Sequence, residues 1–297
     1  MITDEFKTFH PIISFLYFAF MIVMSCVLMH PVCLVISLVG AFAYSIIQNG
    51  KKALKTGGLY MLPTLLVMAL LNPAFNHRGI TVLTYLPSGN PLTLESILYG
   101  FAAAVMVISV IVWFSCCNKI MTSDKLTYLF GRIMPSLSLV VSMTMRFVPK
   151  FTRDTKKVCD AQRGIGCDIS KGKITDRIKT ATKIISVMLT RSLENSIDTA
   201  DSMRSRGYGT KKRTAFSLFR FDRRDLCALI TILVLGTYII CGAVTGKIHC
   251  QYFPELSFGI VNPYVIGVFA AYGIMAFLPV ITELWGVIRW NVIKSKI

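Results

Sequence analysis

Charged residues are scarce in this sequence. Asp, Glu, Lys and Arg make up 16% of the 297 residues, against roughly 25% in an ordinary soluble domain. None of the four occurs from position 8 to position 50, while 54% of the chain is hydrophobic. An apolar run of this length exceeds what a soluble core helix needs. The scarcity excludes an ordinary soluble domain and predicts an all-α integral membrane protein.

Acidic residues are scarcer still, since 15 Asp and Glu stand against 32 Lys and Arg and the net charge is +17. The charge is concentrated, because 23 of the 32 basic and 10 of the 15 acidic residues fall in positions 116–225. Membrane proteins carry their positive charge in cytoplasmic segments. We therefore predict membrane helices 1–4 in residues 1–115, a cytoplasmic region in 116–225 and membrane helices 5–6 in 226–297. The predicted partner of the apolar surface is the lipid bilayer, not nucleic acid.

The charge-free stretches set the number of predicted spans, because a crossing helix needs about 20 apolar residues. They cover positions 8–50, 56–77, 96–118, 226–246 and 256–282. The first stretch holds two helices, with a turn at His30 and Pro31. About six transmembrane helices follow, and an even number places both termini and every strongly basic segment on the cytoplasmic side of the cell membrane.

Signals for chemistry are also missing. The pair Gly172 and Lys173 lacks the upstream glycine and the Ser or Thr of a phosphate-binding loop, so the chain is not predicted to be an ATPase or other enzyme. The span centres hold no Asp, Glu, Lys or Arg, unlike a proton-driven carrier. Glu95 and Glu283 fall at span edges, where we expect them to be solvated or to snorkel toward water. The four histidines are dispersed. A metal site formed by His77 and His249 is conceivable, but solvated loop histidines are far commoner, so no metal site or cofactor is predicted.

The region 116–225 contains two predicted long helices. The second covers 175–206, where apolar residues recur mostly three or four positions apart, namely Ile178, Ala181, Ile185, Met188, Leu193, Ile197, Ala200 and Met203. Such a stripe predicts a packing partner. The first helix is a charged stretch that stops near Gly164 and Gly166. Before it, residues 133–145 are apolar but too short to span, and we expect them to lie along the membrane surface or under the helix bundle.

Each long helix ends with an arginine directly before a glycine. The first end reads Gln162, Arg163, Gly164, and the second reads Ser205, Arg206, Gly207. A helix C-terminus favours a cation, and a following glycine can adopt the left-handed conformation that ends the helix. Taken one at a time, helix capping explains both ends.

Two such ends in one cytoplasmic insertion of a six-span protein resemble the transmembrane T component (EcfT/CbiQ family) of energy-coupling factor (ECF) ABC transporters. The run Arg146–Phe147–Val148–Pro149 and the pair Ala161 and Gln162 are also similar to segments of that family. The resemblance implies a subunit that transmits ATP-driven conformational change from two cytoplasmic ABC ATPase subunits to a small hydrophobic substrate-binding (S) membrane subunit. It further implies vitamin or metal-ion uptake, with an arginine motif at each helix end docking into an ATPase groove.

The second motif, Ser205, Arg206 and Gly207, matches the family closely, whereas the first can be aligned in two ways. Aligned on Ala161 and Gln162, the motif arginine falls at Ile165. Aligned on the arginine before glycine, Arg163 and Gly164 serve. One alternative function stays open, which is a conventional ABC-type permease with its own substrate pathway, because it too would need ATPase-docking helices.

Overall fold

A computed structural model describes residues 5–76, 79–85, 91–133, 135–167, 173–209, 219–246, 248, 250–259 and 262–295. The chain divides into two compact units. Unit 1 comprises Met1–Lys125 and Phe219–Ile297, and unit 2 comprises Leu126–Leu218. The predicted boundaries at 116 and 225 fall inside helices that belong to unit 1.

Unit 1 is built from long helices. A short 3-10 helix, Glu5–Thr8, comes first. The α-helices that follow are α1 (Pro11–Val27), α2 (Pro31–Asn49), α3 (Lys51–Phe75), α4 (Leu94–Ile120), α8 (Arg223–Val244) and α9 (Pro263–Lys294). A further helix, α5 (Ser123–Ile133), starts in unit 1 and continues into unit 2. The expected turn at His30 and Pro31 is confirmed, because α1 ends and α2 begins there.

Helices α1 and α2 begin in the same way. His10 and His30 are the N-cap residues, and each is followed by a proline in the first turn. The Nδ1 of each ring accepts a backbone N–H two residues later, at 3.4 Å from Ile12 and 3.3 Å from Val32. Proline suits this position because its missing N–H would have no partner inside the helix. Histidine is not among the residues that commonly cap helices, so the sequence gives no signal for this role.

Four of the described helices are long and apolar enough to cross a membrane, judged by length and composition. They are α2, α4, α8 and α9. Helix α1 and the segment Pro63–Phe75 of α3 are also apolar but shorter. The prediction of an all-α integral membrane protein is confirmed, while the count of six spans stays a prediction.

The core of unit 1 is aromatic. Trp113 on α4 is fully buried with Tyr17 and Phe18 of α1 and Tyr44 of α2. The Trp113 indole donates a hydrogen bond to the Ser37 hydroxyl at 3.0 Å, which satisfies the polar atom of the ring. Large apolar side chains on the same helices are exposed, as expected where hydrocarbon, not water, is the solvent.

Two short antiparallel hairpins connect helices of unit 1. Strands β1 (Val82–Tyr85) and β2 (Pro91–Thr93) pair between α3 and α4, in the loop where the sequence contains turn-forming residues. Strands β3 (Cys250–Gln251) and β4 (Ser257–Phe258) pair between α8 and α9.

The expectation that Glu95 and Glu283 are solvated is wrong, since each residue is only 3% exposed. Glu95 accepts hydrogen bonds from the Thr81 backbone N–H at 3.2 Å and from its hydroxyl at 2.6 Å. Glu283 accepts the backbone N–H groups of Glu5 and Phe6, both at 3.0 Å. These donors replace part of the water that each buried carboxylate loses, and the second oxygen of Glu95 is buried without a hydrogen-bond partner.

Unit 2 contains two long helices, α6 (Pro135–Gly164) and α7 (Ile174–Ser205). Residues 135–145 do not form a separate surface segment, because α6 continues without a break through Pro149 to Gly164. The two helices pack through Val158 of α6 and through Ile184 and Met188 of α7. With 32 residues, α7 is about 48 Å long.

Candidate functional site

Helix α7 ends in a Schellman motif. Gly207 has a φ of 78°, which is the left-handed region that glycine adopts at little cost. Its N–H bonds to the carbonyl of Arg204 at 2.9 Å, and the Tyr208 N–H bonds to the carbonyl of Met203 at 3.0 Å. These two bonds define the motif and satisfy carbonyls that the helix leaves unpaired. The predicted role of Gly207 in ending the helix is confirmed.

Helix α6 ends in the same motif. Its left-handed glycine is two residues further along the chain than Gly164, the glycine that follows Arg163. Gly166 has a φ of 86° and bonds to the carbonyl of Arg163 at 3.1 Å. The Cys167 N–H bonds to the carbonyl of Gln162 at 2.9 Å. The expectation that Gly164 takes the left-handed conformation is wrong, because Gly164 is the last residue of the helix and Gly166 ends it. Two nearby glycines made this choice ambiguous in the sequence.

Matching the two motifs bond for bond pairs Gly166 with Gly207. Ile165 then takes the place of Arg206, and Arg163 takes the place of Arg204. The helix ends therefore agree with the alignment that is based on Ala161 and Gln162. In this register the first end presents an isoleucine where the second presents an arginine.

The side chains at both ends are accessible. Arg206, Ser205 and Tyr208 are exposed at the end of α7. At the end of α6, Arg163 and Gly164 are exposed, Gln162 is half-buried, and Ile165 is 76% exposed. Ser205 donates its hydroxyl to the carbonyl of Ser202 at 2.9 Å, as a residue in the last turn of a helix often does. Both ends can therefore meet a partner without first breaking a packed core.

Helix α7 has two apolar faces. Ile184 and Met188, each 4% exposed, belong to the face that packs on α6. The other face is exposed, and we call it the outer stripe. It consists of Ile178, Ile185, Leu189, Leu193 and Ile197. The sequence-predicted stripe combined the two faces, because Met188 points inward whereas Ile185 and Ile197 remain 58% and 64% exposed.

A groove of about 230 Å³ lies between α6 and α7 within unit 2. Its lining includes Phe147, Lys150, Phe151, Asp154, Arg191 and Asn195. Of the four residues Arg146–Pro149, only Phe147 belongs to this lining. The groove joins aromatic surface with charges of both signs.

Ligands for a metal are dispersed in the described part of the chain, where no three His, Cys, Asp or Glu side chains come together as a metal site. His77 and His249 lie outside the described residues. All nine cysteines are free thiols.

Comparison with known proteins gives consistent matches. The family model CbiQ, described as cobalt transport protein, matches residues 8–216. An energy-coupling factor transporter transmembrane protein EcfT of Listeria innocua is 33% identical over 120 residues, covering 40% of this chain and 44% of that protein. The EcfT protein of Lactobacillus helveticus is 36% identical over 106 residues, with 35% and 38% covered. That of Streptococcus equi is 29% identical over 106 residues, with 35% and 39% covered. The matched part thus spans less than half the length of these relatives.

Proposed function

The chain belongs to the CbiQ family of cobalt transport proteins, and we propose that it is the transmembrane energy-coupling subunit of an ECF-type ABC transporter. In this role it transmits ATP-driven conformational change from two cytoplasmic ABC ATPases to a separate, small, hydrophobic substrate-binding membrane subunit. The transported substrate is a vitamin or a metal ion. The chain itself hydrolyses no nucleotide.

The observation that carries this proposal is the pair of equivalent, exposed ends of α6 and α7. A helix end that stops sharply at a left-handed glycine presents its last side chains outward at a defined position. At the end of α7 this side chain is Arg206, whose planar guanidinium can donate two parallel hydrogen bonds to a carboxylate. We assign ATPase docking to Ser205, Arg206 and Gly207 at one end and to Gln162, Arg163, Gly164 and Ile165 at the other.

The outer stripe of α7 supports the same proposal. Five large apolar side chains on a helix that lies in a strongly charged region form a surface that is costly to leave in water. Ile184 and Met188 already pack on α6, so the stripe is not needed to hold the helix pair together. We assign it to contact with another subunit of the transporter.

The proposed orientation follows from charge. Residues 116–225 carry most of the basic side chains and face the cytoplasm, with both termini on the same side. The protein is then a multi-pass component of the cell membrane, and unit 2 is the part that the ATPases reach.

Purification of the tagged chain with its genomic neighbours co-expressed tests the proposal. We expect two ATPase subunits and one small hydrophobic membrane protein to be retained in the wild type. The Arg206→Ala variant should lose the ATPases, whereas Arg223→Ala, which removes an exposed arginine of α8, should keep them. A wild-type chain that retains ATPases and also binds substrate tightly by itself would favour the permease alternative.

A further inference from the structure

The two connections between unit 2 and unit 1 meet one short segment at the start of the chain. Unit 2 follows Lys125 and ends before Phe219. We call residues 5–10 the N-terminal clamp. Lys125 and several residues just after Phe219 contact this segment.

The chain passes from unit 1 into unit 2 through α5, and the start of this helix is held by Lys125. This residue lies in the first turn of α5 and is only 3% exposed. Its ammonium group donates a hydrogen bond to the carbonyl oxygen of Phe9 at 3.2 Å. A buried ammonium is costly unless it is hydrogen-bonded, so this bond fixes where α5 can start.

The start of α8, where the chain returns to the helices of unit 1, is held by Asp225 in its first turn. One carboxylate oxygen accepts the His10 N–H at 3.3 Å, and the other accepts the Asp222 N–H at 3.1 Å, closing the capping box of α8. The Phe221 ring packs edge-on against the His10 ring, with centroids 5.4 Å apart. The carbonyl of Phe9 and the N–H of His10 belong to one peptide unit, so the starts of α5 and α8 are tied to the same peptide.

The clamp is in turn fixed to other helices of unit 1. Glu283 of α9 accepts the N–H groups of Glu5 and Phe6 at 3.0 Å, and the Phe6 side chain is 1% exposed in the aromatic core. Arg224 of α8 forms an ion pair with Glu5 at 3.2 Å. The exposed ion pair contributes little, whereas the buried Glu283 and Phe6 contacts hold the clamp firmly.

We propose that the N-terminal clamp holds the starts of α5 and α8 at one peptide unit, so that movement of unit 2 that reaches these two helix starts is passed to helices α1, α8 and α9. This inference rests on the proposed coupling function. Lys125 and Asp225 are then positioning residues for coupling. Hydrogen bonds from buried charged side chains to backbone groups suit such a role, because they are directional and because removing one partner leaves a buried backbone group unpaired.

The first test measures the clamp in the chain alone, without any ATPase. Amide hydrogen exchange is followed for residues 5–10 in detergent for the wild type and for the variants Lys125→Met and Asp225→Ala. We expect exchange in this segment to become at least tenfold faster in both variants. The matched controls Asp124→Asn and Arg223→Ala change exposed neighbours and should leave exchange unchanged. Unchanged exchange in both test variants would overturn the clamp, whatever the partners of the chain are.

The second test measures coupling in the reconstituted transporter, as substrate transported per ATP hydrolysed. We expect Lys125→Met and Asp225→Ala to assemble and to keep ATP hydrolysis within about twofold, while transport falls at least fivefold. Asp225→Asn keeps an acceptor oxygen and should retain at least half of the transport. Equal loss of hydrolysis and transport, or no loss of either, would show that the clamp has only a structural role. Failure of the chain to bind ATPases would instead refute the proposed function, and the exchange result would still stand.

Discussion

Ile165 stands at the end of α6 where Arg206 stands at the end of α7, one residue before a left-handed glycine in each case. The backbone of the two ends is equivalent, but one presents an apolar side chain and the other a guanidinium. Two identical grooves would not be matched equally well by these two groups. Under the proposed function, this difference favours two ATPase subunits that are not identical.

The first prediction concerns Arg206. Its replacement by Ala should lower substrate-coupled ATP hydrolysis or uptake at least tenfold, which needs only about 1.4 kcal/mol. Truncation of one member of a desolvated charge pair typically costs about 2–5 kcal/mol. The Arg163→Ala variant should have a milder effect, because Arg163 matches Arg204 and not Arg206. Uptake in vesicles at matched expression provides the measurement, and full activity of Arg206→Ala would reduce the motif to a helix cap.

The second prediction separates the three glycines. Val in place of Gly207 or Gly166 must adopt a positive φ, which costs about 1–2 kcal/mol for a residue with a Cβ. Both variants should therefore lower the thermal unfolding temperature in detergent, and Gly207→Val should also lower uptake. Gly164→Ala is the matched control. Gly164 is helical with open space around its Cβ position, so the unfolding temperature should stay the same or rise slightly.

The helix ends show how far the sequence alone could lead. Gly207 was assigned correctly because Arg206 precedes it at the end of a long periodic pattern. At the end of α6 the sequence offers both Gly164 and Gly166, and only the backbone hydrogen bonds show that Gly166 ends the helix. Glu283 was also misjudged, since its partners, the N–H groups of Glu5 and Phe6, are almost 280 positions away along the chain. Local patterns predicted the helices well, whereas contacts between distant segments needed the structure.

The third prediction distinguishes the two faces of α7. Asp in place of Ile185 or Ile197 puts a charge on the exposed outer stripe, so the isolated chain should fold normally but lose assembly with its partners. Asp in place of Ile184 buries a charge between α6 and α7 and should destabilise unit 2 itself by several kcal/mol. Thermal unfolding of the chain alone and co-purification of the complex report the two effects separately. Intact assembly of the Ile185→Asp, Ile197→Asp double variant would show that the outer stripe is no interface.

The fourth prediction tests orientation. Cys159 and Cys167 lie at the end of α6 and are half-buried. Because residues 116–225 are proposed to face the cytoplasm, an impermeant thiol reagent should reach both cysteines only from that side. Cys250, between α8 and α9, should react from outside. Its burial raises the pKa of the thiol, so labelling at a moderately alkaline pH is appropriate. Each cysteine is tested in a variant that lacks the other eight. Labelling of Cys167 in intact cells would reverse the orientation and remove the basis for ATPase docking.

The last prediction concerns the N-cap of α2. His30 can accept the Val32 N–H only while Nδ1 is unprotonated, and partial burial lowers the pKa of its imidazole below 6.5. The unfolded chain therefore binds more protons between that lowered pKa and 6.5, so stability should fall as the pH drops through this window and should level off above it. His30→Asn keeps a capping oxygen that does not titrate, whereas His30→Ala removes the cap at a cost of about 1 kcal/mol. We expect His30→Ala to be less stable than the wild type at pH 7.5 but nearly equal at pH 5. The measurement is the unfolding temperature of the three proteins in detergent as a function of pH. If the difference in unfolding temperature between the wild type and His30→Asn does not change with pH, protonation of His30 does not affect the cap.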